Sequence, residues 1–195
     1  MDRDTELAIV ERLRRSDHAA FDAVFQEFHA RLYSFLARLS RDRDVAEDLI
    51  EETWLRLVAN AERLRPDTRL GAWLFTVARN IHVSYCRSRA IDESHECGPL
   101  SLWPTSPASP SPFEEAAAGE LERRVERALA ALPARYRETL LLVAVEGFTP
   151  AEAAAICQVS PENLRQRLSR ARAMLAREVD RLDDATAAVL REVTP

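Results

Sequence analysis

PAEAAAICQVSPENLRQRLSRARAMLAR, residues 150–177, is the stretch on which the reading of this chain turns. Its first eight residues, Pro150 to Cys157, make a short apolar helix. Thr149 stands at its N-cap, proline at the first helical position, and Glu152 where it can close a capping box. Gln158-Val159-Ser160 then breaks the pattern, and a longer helix opens at Pro161. This is the spacing of a helix-turn-helix. At about 100° per residue, Leu164, Leu168, Ala171 and Leu175 share an inward face. Glu162, Gln166, Ser169 and Ala173 point the other way, with Asn163, Arg170 and Arg177 beside them. Arg165 and Arg172 border one side of the apolar stripe and Arg167 the other. Five arginines and one acid between Glu162 and Arg177 give a local charge of +4 in a chain of net charge −5. Small polar tips and arginines in this arrangement suit the reading of base edges, with flanking arginines on phosphates. The same charges also fit a solvated helix in a small bundle.

Working outward, proline punctuates the second half. Helices are expected to start near Pro112 (in Ser111-Pro112-Phe113-Glu114), Pro133, Pro150 and Pro161, and Gly147 to end the helix from Pro133 to Glu146. Before them, Gly98 to Pro112 reads GPLSLWPTSPASPSP, a composition that favours an extended linker. The first half is again helical. Asp17 is a candidate N-cap, followed by Phe21, Val24, Phe25, Phe28, Leu32, Phe35, Leu36 and Leu39 at three- and four-residue steps. Asp44 with Glu47 resembles a capping box for a helix carrying Ala46, Leu49, Ile50, Thr53, Leu57 and Val58 inward. Arg65-Pro66-Asp67-Thr68 is a loop, and a further helix runs from about Gly71 to Arg89 with Leu74, Val77, Ala78, Ile81 and Tyr85 on one face. The expected fold is all-α: two small helical domains over 1–90 and 112–182, joined by a Pro/Ser-rich linker over 91–111, with a C-terminal tail over 183–195.

Composition narrows the function. Four glycines in 195 residues exclude a glycine-rich phosphate loop and argue against a turn-rich all-β fold. The longest strongly apolar run, Leu140 to Val145, falls far short of the ~20 residues that cross a bilayer, so no membrane insertion is expected. Met1-Asp2-Arg3-Asp4 opens no secretory signal, and three cysteines build no disulfide scaffold, so a cytoplasmic location is expected. Every one of the 27 basic residues is arginine, yet the chain is acidic overall, so a nucleic-acid role must come from local patches. Neither a Ser/His/Asp arrangement nor paired acids stand out, so no catalytic residue and no cofactor are expected.

The segment from Leu129 to Leu175, which contains LPARYRETLLLVAVEGFTPAEAAAICQVSPENLRQRLSRARAML, resembles the fourth conserved region of bacterial RNA polymerase sigma factors. AFDAVFQEFHARLYSFL (20–36), DVAEDLIEETWLRL (44–57) and RLGAWLFTVARN (69–80) resemble their second region. Two such regions separated by a linker form the layout of the extracytoplasmic-function (ECF) group of the sigma-70 family. The resemblance implies a sigma factor that directs RNA polymerase core to specific promoters and assists DNA melting. It implies that Asp48, Glu51, Glu52 and Arg56 face the clamp helices of the largest polymerase subunit, with further contact to the flap. It implies that Arg65, Asp67, Arg69, Trp73, Asn80, Arg87 and Arg89 serve the minus-ten element, where a flipped base needs a pocket, edge hydrogen bonds and positive charge. Trp73 fits a stacking platform, but aromatic residues at helical spacing are more often core. The helix from Pro161 is implied to read the minus-thirty-five element through Glu162, Asn163, Arg165, Gln166, Arg167, Ser169 and Arg170. An anti-sigma factor is an implied partner alongside polymerase core and promoter DNA.

The sequence departs from the family's pattern at Gln158, where glycine is frequent in the turn, at Glu162 to Arg165, where Gly-Thr-Val-Lys is common, and at Ser84, where aspartate is common. Gln158 and Ser84 leave room for a sigma-like decoy that binds an anti-sigma factor without promoter recognition; a stand-alone helix-turn-helix regulator is a third reading, opposed by the acidic net charge and the polymerase-type first half. His82, Cys86, His95 and Cys97 are zinc-type residues, but H-x3-C-x8-H-x-C matches no common structural zinc spacing, so no metal is expected.

Overall fold

The computed structural model describes residues 2–94 and 119–193. They form two compact units, each helical, and no strand occurs among the described residues. The expected helix start near Pro112 and most of the expected linker lie outside the described residues.

The first unit holds four helices: α1 (Arg3–Leu13), α2 (His18–Ser40), α3 (Arg43–Asn60) and α4 (Leu70–Ser94), with a 3-10 turn at Ala61–Arg63. Asp17 caps α2 as expected, its side chain accepting from the Ala19 amide. The predicted stripe on α2 packs inward, with Val24, Leu32, Phe35 and Leu36 at most 1% exposed. Phe35 meets Phe75 of α4 edge to face, centroids 5.2 Å apart. Burying a side chain of this size contributes about 1.5–3 kcal/mol, so this α2–α4 contact is a main anchor of the unit.

Three local expectations for this unit are corrected. Asp42, not Asp44, caps α3, its Oδ1 accepting from the amides of Asp44 and Val45 at 3.0 and 3.2 Å. Arg41 ends α2 in the left-handed region (φ 63°). The chain turns so sharply there that the next acid is already at the cap. Val58 is 60% exposed instead of inward, and Trp54, at 8%, takes the inward place. On α4 the buried face is turned by about one residue: Leu70, Leu74, Phe75, Ala78, His82 and Cys86 are buried, whereas Val77, Ile81 and Tyr85 are only half-buried. The helix also extends beyond its expected ends, from Leu70 to Ser94.

The second unit holds α5 (Glu120–Ala131), α6 (Ala134–Leu140) continuing into a π turn over Leu141–Val145, α7 (Pro150–Cys157) and α8 (Pro161–Val193). Pro133 sits at the N-cap of α6 rather than inside it. Gly147 ends this segment at φ 75°, as expected. The capping box at Thr149 forms in both directions. Leu129, Leu132, Tyr136, Leu140, Leu168 and Ala171 make the core, with Met174 and Leu175 packed against it. The segment expected as a tail from 183 continues α8 through Val193.

Candidate nucleic-acid and polymerase interfaces

In the first unit, the path from the end of α3 to the start of α4 builds a concave surface. Leu64 is buried and anchors the loop, so Arg65, Pro66 and Asp67 stand in solvent. Arg65 grips Asp67 through Nε and Nη2 at 3.1 and 3.0 Å, and the Thr68 amide donates to the Arg65 carbonyl at 3.0 Å. Two shallow depressions lie side by side. One, of about 270 Å³, is lined by Asn60, Arg63, Leu64, Arg65, Thr68 and Trp73. The other, of about 360 Å³, is lined by Arg56, Asn60, Trp73, Val77, Asn80, Ile81 and Ser84.

Trp73 and Asn60 belong to both. Trp73 is half-buried, so its ring is a wall and not core. Asn80 accepts from Arg79 at its Oδ1, 3.2 Å away. Trp73, Asn80 and Arg87 are spaced by seven, which puts them on one face of α4. Arg87 and Arg89 are exposed and lie roughly 10 Å or more along the helix from Asn80. Arg89 leans on Tyr85, donating to its hydroxyl at 3.1 Å. Arg69 is exposed at the head of α4.

The structure thus brings Arg65 and Asn80 to two adjoining depressions that share Trp73, and leaves Asp67, Arg69 and Arg87 on their approaches; Arg89, expected to join them, lies about 180° round α4 from Asn80, on the other side of the helix. It adds Asn60, Arg63 and Thr68, which sequence reasoning missed. For Arg63 and Thr68 the only signal was their place in the stretch before a helix carrying Trp73 and Asn80, and for Asn60 its place at the end of α3. It also places Arg56 on the wall of the second depression, tied to Glu52 at 2.6 Å.

The outward side of α3 carries Asp48 and Glu51, both exposed, with Glu52 beside them half-buried. Leu55 and Val58, 57% and 60% exposed, follow at the i, i+3, i+7, i+10 positions counted from Asp48. This face is therefore acidic at one end and apolar at the other. Val58 was missed because an apolar residue at helical spacing reads as core, and the sequence reading assigned Leu55 to neither face.

In the second unit, Gln158 adopts the left-handed conformation (φ 56°, ψ 45°) and donates to the carbonyls of Ala154 and Ala155. A non-glycine residue therefore makes the turn that glycine commonly makes. Ser160 receives the Asn163 amide at 3.2 Å and starts α8. Beyond it, Glu162, Asn163, Arg165, Gln166, Ser169 and Arg170 are exposed and Arg167 is half-buried. Glu162 pairs with Arg165 at 3.4 Å, both side chains about two-thirds exposed. Such a pair is worth little in water and is readily exchanged for another acceptor. Arg167 donates to the Asn163 amide oxygen at 2.9 Å.

Arg170 also reaches Tyr136, and the hydrogen bond it donates there, with the charge of Arg135, lowers the phenol below its ordinary pKa. Arg135 itself donates to the same hydroxyl at 3.3 Å and lies over the ring at 4.8 Å. Two exposed guanidinium groups are thus held at one phenol. Arg135 is a further basic residue at this edge that the sequence reading did not select, since it lies outside the helix-turn-helix.

Two family descriptions match the chain: Sigma-70 region 2 over residues 24–91 and Sigma-70, region 4 over residues 122–175. The ECF RNA polymerase sigma factor EcfG of Rhodopseudomonas palustris is 37% identical over 145 residues, 74% of this chain and 77% of that one. The chain belongs to the ECF RNA polymerase sigma factors. CarQ of Myxococcus xanthus, an RNA polymerase sigma factor, is 33% identical to this sigma factor over 83% of this chain and 90% of its own. Among solved structures, the sigma factor RpoE of Bartonella quintana, in complex with the anti-sigma factor NepR, is 30% identical. It covers 80% of this chain and 95% of its own with a TM-score of 0.63. CnrH, solved with the cytosolic domain of CnrY, is 20% identical with a TM-score of 0.66 and shares the fold.

As a sigma factor, the protein directs RNA polymerase core to specific promoters and assists DNA melting in transcription initiation. Its two units are sigma regions 2 and 4.

Of the zinc-type residues in this sigma factor, His82 and Cys86 are buried against one another, Sγ to Nε2 3.6 Å. Burial pushes the thiol above its ordinary pKa, so little of it is in the nucleophilic thiolate form at neutral pH. His95 and Cys97 lie outside the described residues. No cluster of three metal-capable side chains occurs among the described residues, and no helix there is long and apolar enough to cross a membrane.

Proposed function

We propose that the first unit binds a flipped base of the minus-ten element at the depressions around Trp73. The second unit then reads the minus-thirty-five element with the exposed side of α8. The observation that carries this reading is the shared wall: Trp73 and Asn60 line both depressions, with the amide of Asn80 and the guanidinium of Arg65 at their rims. An indole face stacks on any base, amides meet base edges, and arginines follow the strand. Arg69 and Arg87 contribute charge along that strand, while Asp67 holds Arg65 in place.

The acidic and apolar face of α3, with Asp48, Glu51, Glu52, Leu55 and Val58, docks on the clamp helices of polymerase core, and the second unit meets the flap. Polymerase supplies much of the binding free energy, which fits a DNA-reading chain of net charge −5. The protein works in the cytoplasm and has no catalytic residue of its own. An anti-sigma factor holds it in reserve, a reading supported by its 30% identity to a sigma factor solved with one. The division into domains over 1–90 and 112–182 is part of the same reading.

The arginines of α8 provide the test. In holoenzyme bound to a minus-thirty-five duplex, Arg165→Ala weakens the preferred sequence about tenfold and flattens the preference among sequences, the signature of a base contact. Arg170→Ala weakens all sequences alike and lowers the slope of log K against log salt by about one, the signature of a phosphate contact. Binding curves for both variants that overlay wild type would remove the assignment of this helix.

A further inference from the structure

The loop that walls the first depression is held from behind by a helix more than sixty residues away in sequence. Arg3 donates through Nη2 to the carbonyl of Asp67 at 2.8 Å and through Nη1 to that of Thr68 at 3.4 Å. The same guanidinium pairs with Glu6 at 2.6 Å. The other oxygen of Glu6 accepts from the amide of Leu70, the first residue of α4, at 2.7 Å. One buttress therefore fixes the backbone at 67, 68 and 70.

Both ends of the contact require it. The first amides of a helix lack partners within the helix. The residue before α4 is Arg69, whose side chain has no acceptor. Glu6 supplies the missing cap from another helix, and its negative charge lies at the positive end of α4. Its side chain is 15% exposed, so water competes poorly for the site.

α1 is itself rigidly placed. Asp2 caps it through the amides of Asp4 and Thr5, which sets Arg3 at the first helical position. Ile9, Val10 and Leu13 are buried, and Arg12 ties the far end to Asp17 at 2.7 Å. Trp73 lies one turn beyond Leu70, and Thr68 lines the depression together with Trp73. A shift of the loop at 67–70 therefore moves both walls.

The geometry points to Arg3 and Glu6 as positioning residues for minus-ten recognition: they touch no DNA but set the width and orientation of the base pocket through the loop and the head of α4. This inference rests on the pocket reading given above. Preorganised sites depend on such supporting contacts, because a first contact placed loosely loses its geometry.

The test uses holoenzyme and a fluorescent single strand carrying the minus-ten sequence of a promoter it transcribes, with each base in turn replaced by an abasic site. For the double variant Arg3→Ala/Glu6→Ala, affinity falls about tenfold, as expected for the loss of a charge-assisted contact. The penalty for an abasic site at the flipped position shrinks, while affinity for core polymerase is unchanged. Glu6→Gln keeps an acceptor for the Leu70 amide and recovers most of the base discrimination. A double variant that melts earlier yet keeps wild-type affinity and discrimination would overturn the inference and leave the clamp a purely stabilising contact. Trp73→Ala separates the two layers. If it weakens the strand while the Arg3/Glu6 variant does not, only the clamp falls. If Trp73→Ala is also silent, the pocket reading falls and the clamp with it.

Discussion

Trp73→Ala leaves holoenzyme able to locate its promoter but slows strand opening at the minus-ten element by about tenfold or more. The expectation follows from where the ring sits. Trp73 is half-buried and walls two depressions, so its removal merges them into one open trough. Stacking of a base on an aromatic side chain is worth about 1–3 kcal/mol by alanine substitution, and each 1.4 kcal/mol is a factor of about ten.

Its neighbour two residues on marks the contrast. Phe75 is fully buried, and Phe75→Ala would cost about 3–5 kcal/mol of fold stability. Trp73→Ala should therefore fold, and Trp73→Phe should keep much of the stacking. Asn80→Ala belongs to the same class and should harm opening more than recruitment. Thymine reactivity toward permanganate in the complex reads opening, and an unmelted filter or footprint assay reads recruitment. Equal loss in both would mean that Trp73 serves the fold or the polymerase contact instead.

Arg137→Ala should disable minus-thirty-five recognition without removing any DNA contact. Arg137 is 4% exposed in the core of the second unit. Its Nε donates to the Leu129 carbonyl at 3.1 Å, and Nη2 donates to those of Ala130 and Leu132 at 3.1 and 2.9 Å. These carbonyls close the last turn of α5, where helical partners run out and a positive charge is favoured. The Leu129 carbonyl keeps the Leu132 amide as a donor, so alanine strips the donor from two, the buried Leu132 carbonyl and the partly buried one of Ala130. At about 1–3 kcal/mol for each unsatisfied buried group, the cost is roughly 3 kcal/mol or more.

Arg137→Lys should rescue little, because one ammonium cannot reproduce the guanidinium fork across three oxygens. Amide hydrogen exchange distinguishes the outcome by region: protection falls over 122–175 and stays unchanged over 2–94. Unaltered protection in the second unit would show that the fork is dispensable.

The limits of the sequence reading have physical causes. The stripe on α2, the stripe on α8 and the Thr149–Glu152 box were legible because each is set by residues three or four apart. The cap of α3 was misplaced because Asp42 and Asp44 both stand near the start, and only the tight turn at Arg41 selects between them. The face of α4 was misjudged because Val77 and Ile81 are apolar, yet they line a groove and not the core. Val58 misled in the same manner, as an apolar residue left exposed on the face of α3.

Arg3, Glu6 and Arg137 carried no local signal at all. Each acts on backbone groups, the first two across more than sixty residues, and a charged side chain in sequence reads as solvated. The site residues fared in between. Arg65, Trp73 and Asn80 converge, while Asn60, Arg63, Thr68 and Arg135 emerge only once the loops and helix ends are in place.

Run-off transcription with core polymerase and fragments of the source genome tests the central claim most directly. Adding the purified protein should produce discrete transcripts from defined start points that core alone does not make, with the DNA open around the minus-ten position. Tight binding to core with no transcript from any fragment would contradict the account and favour a decoy. Specific, salt-sensitive binding to duplex DNA without polymerase would contradict it in favour of a stand-alone regulator.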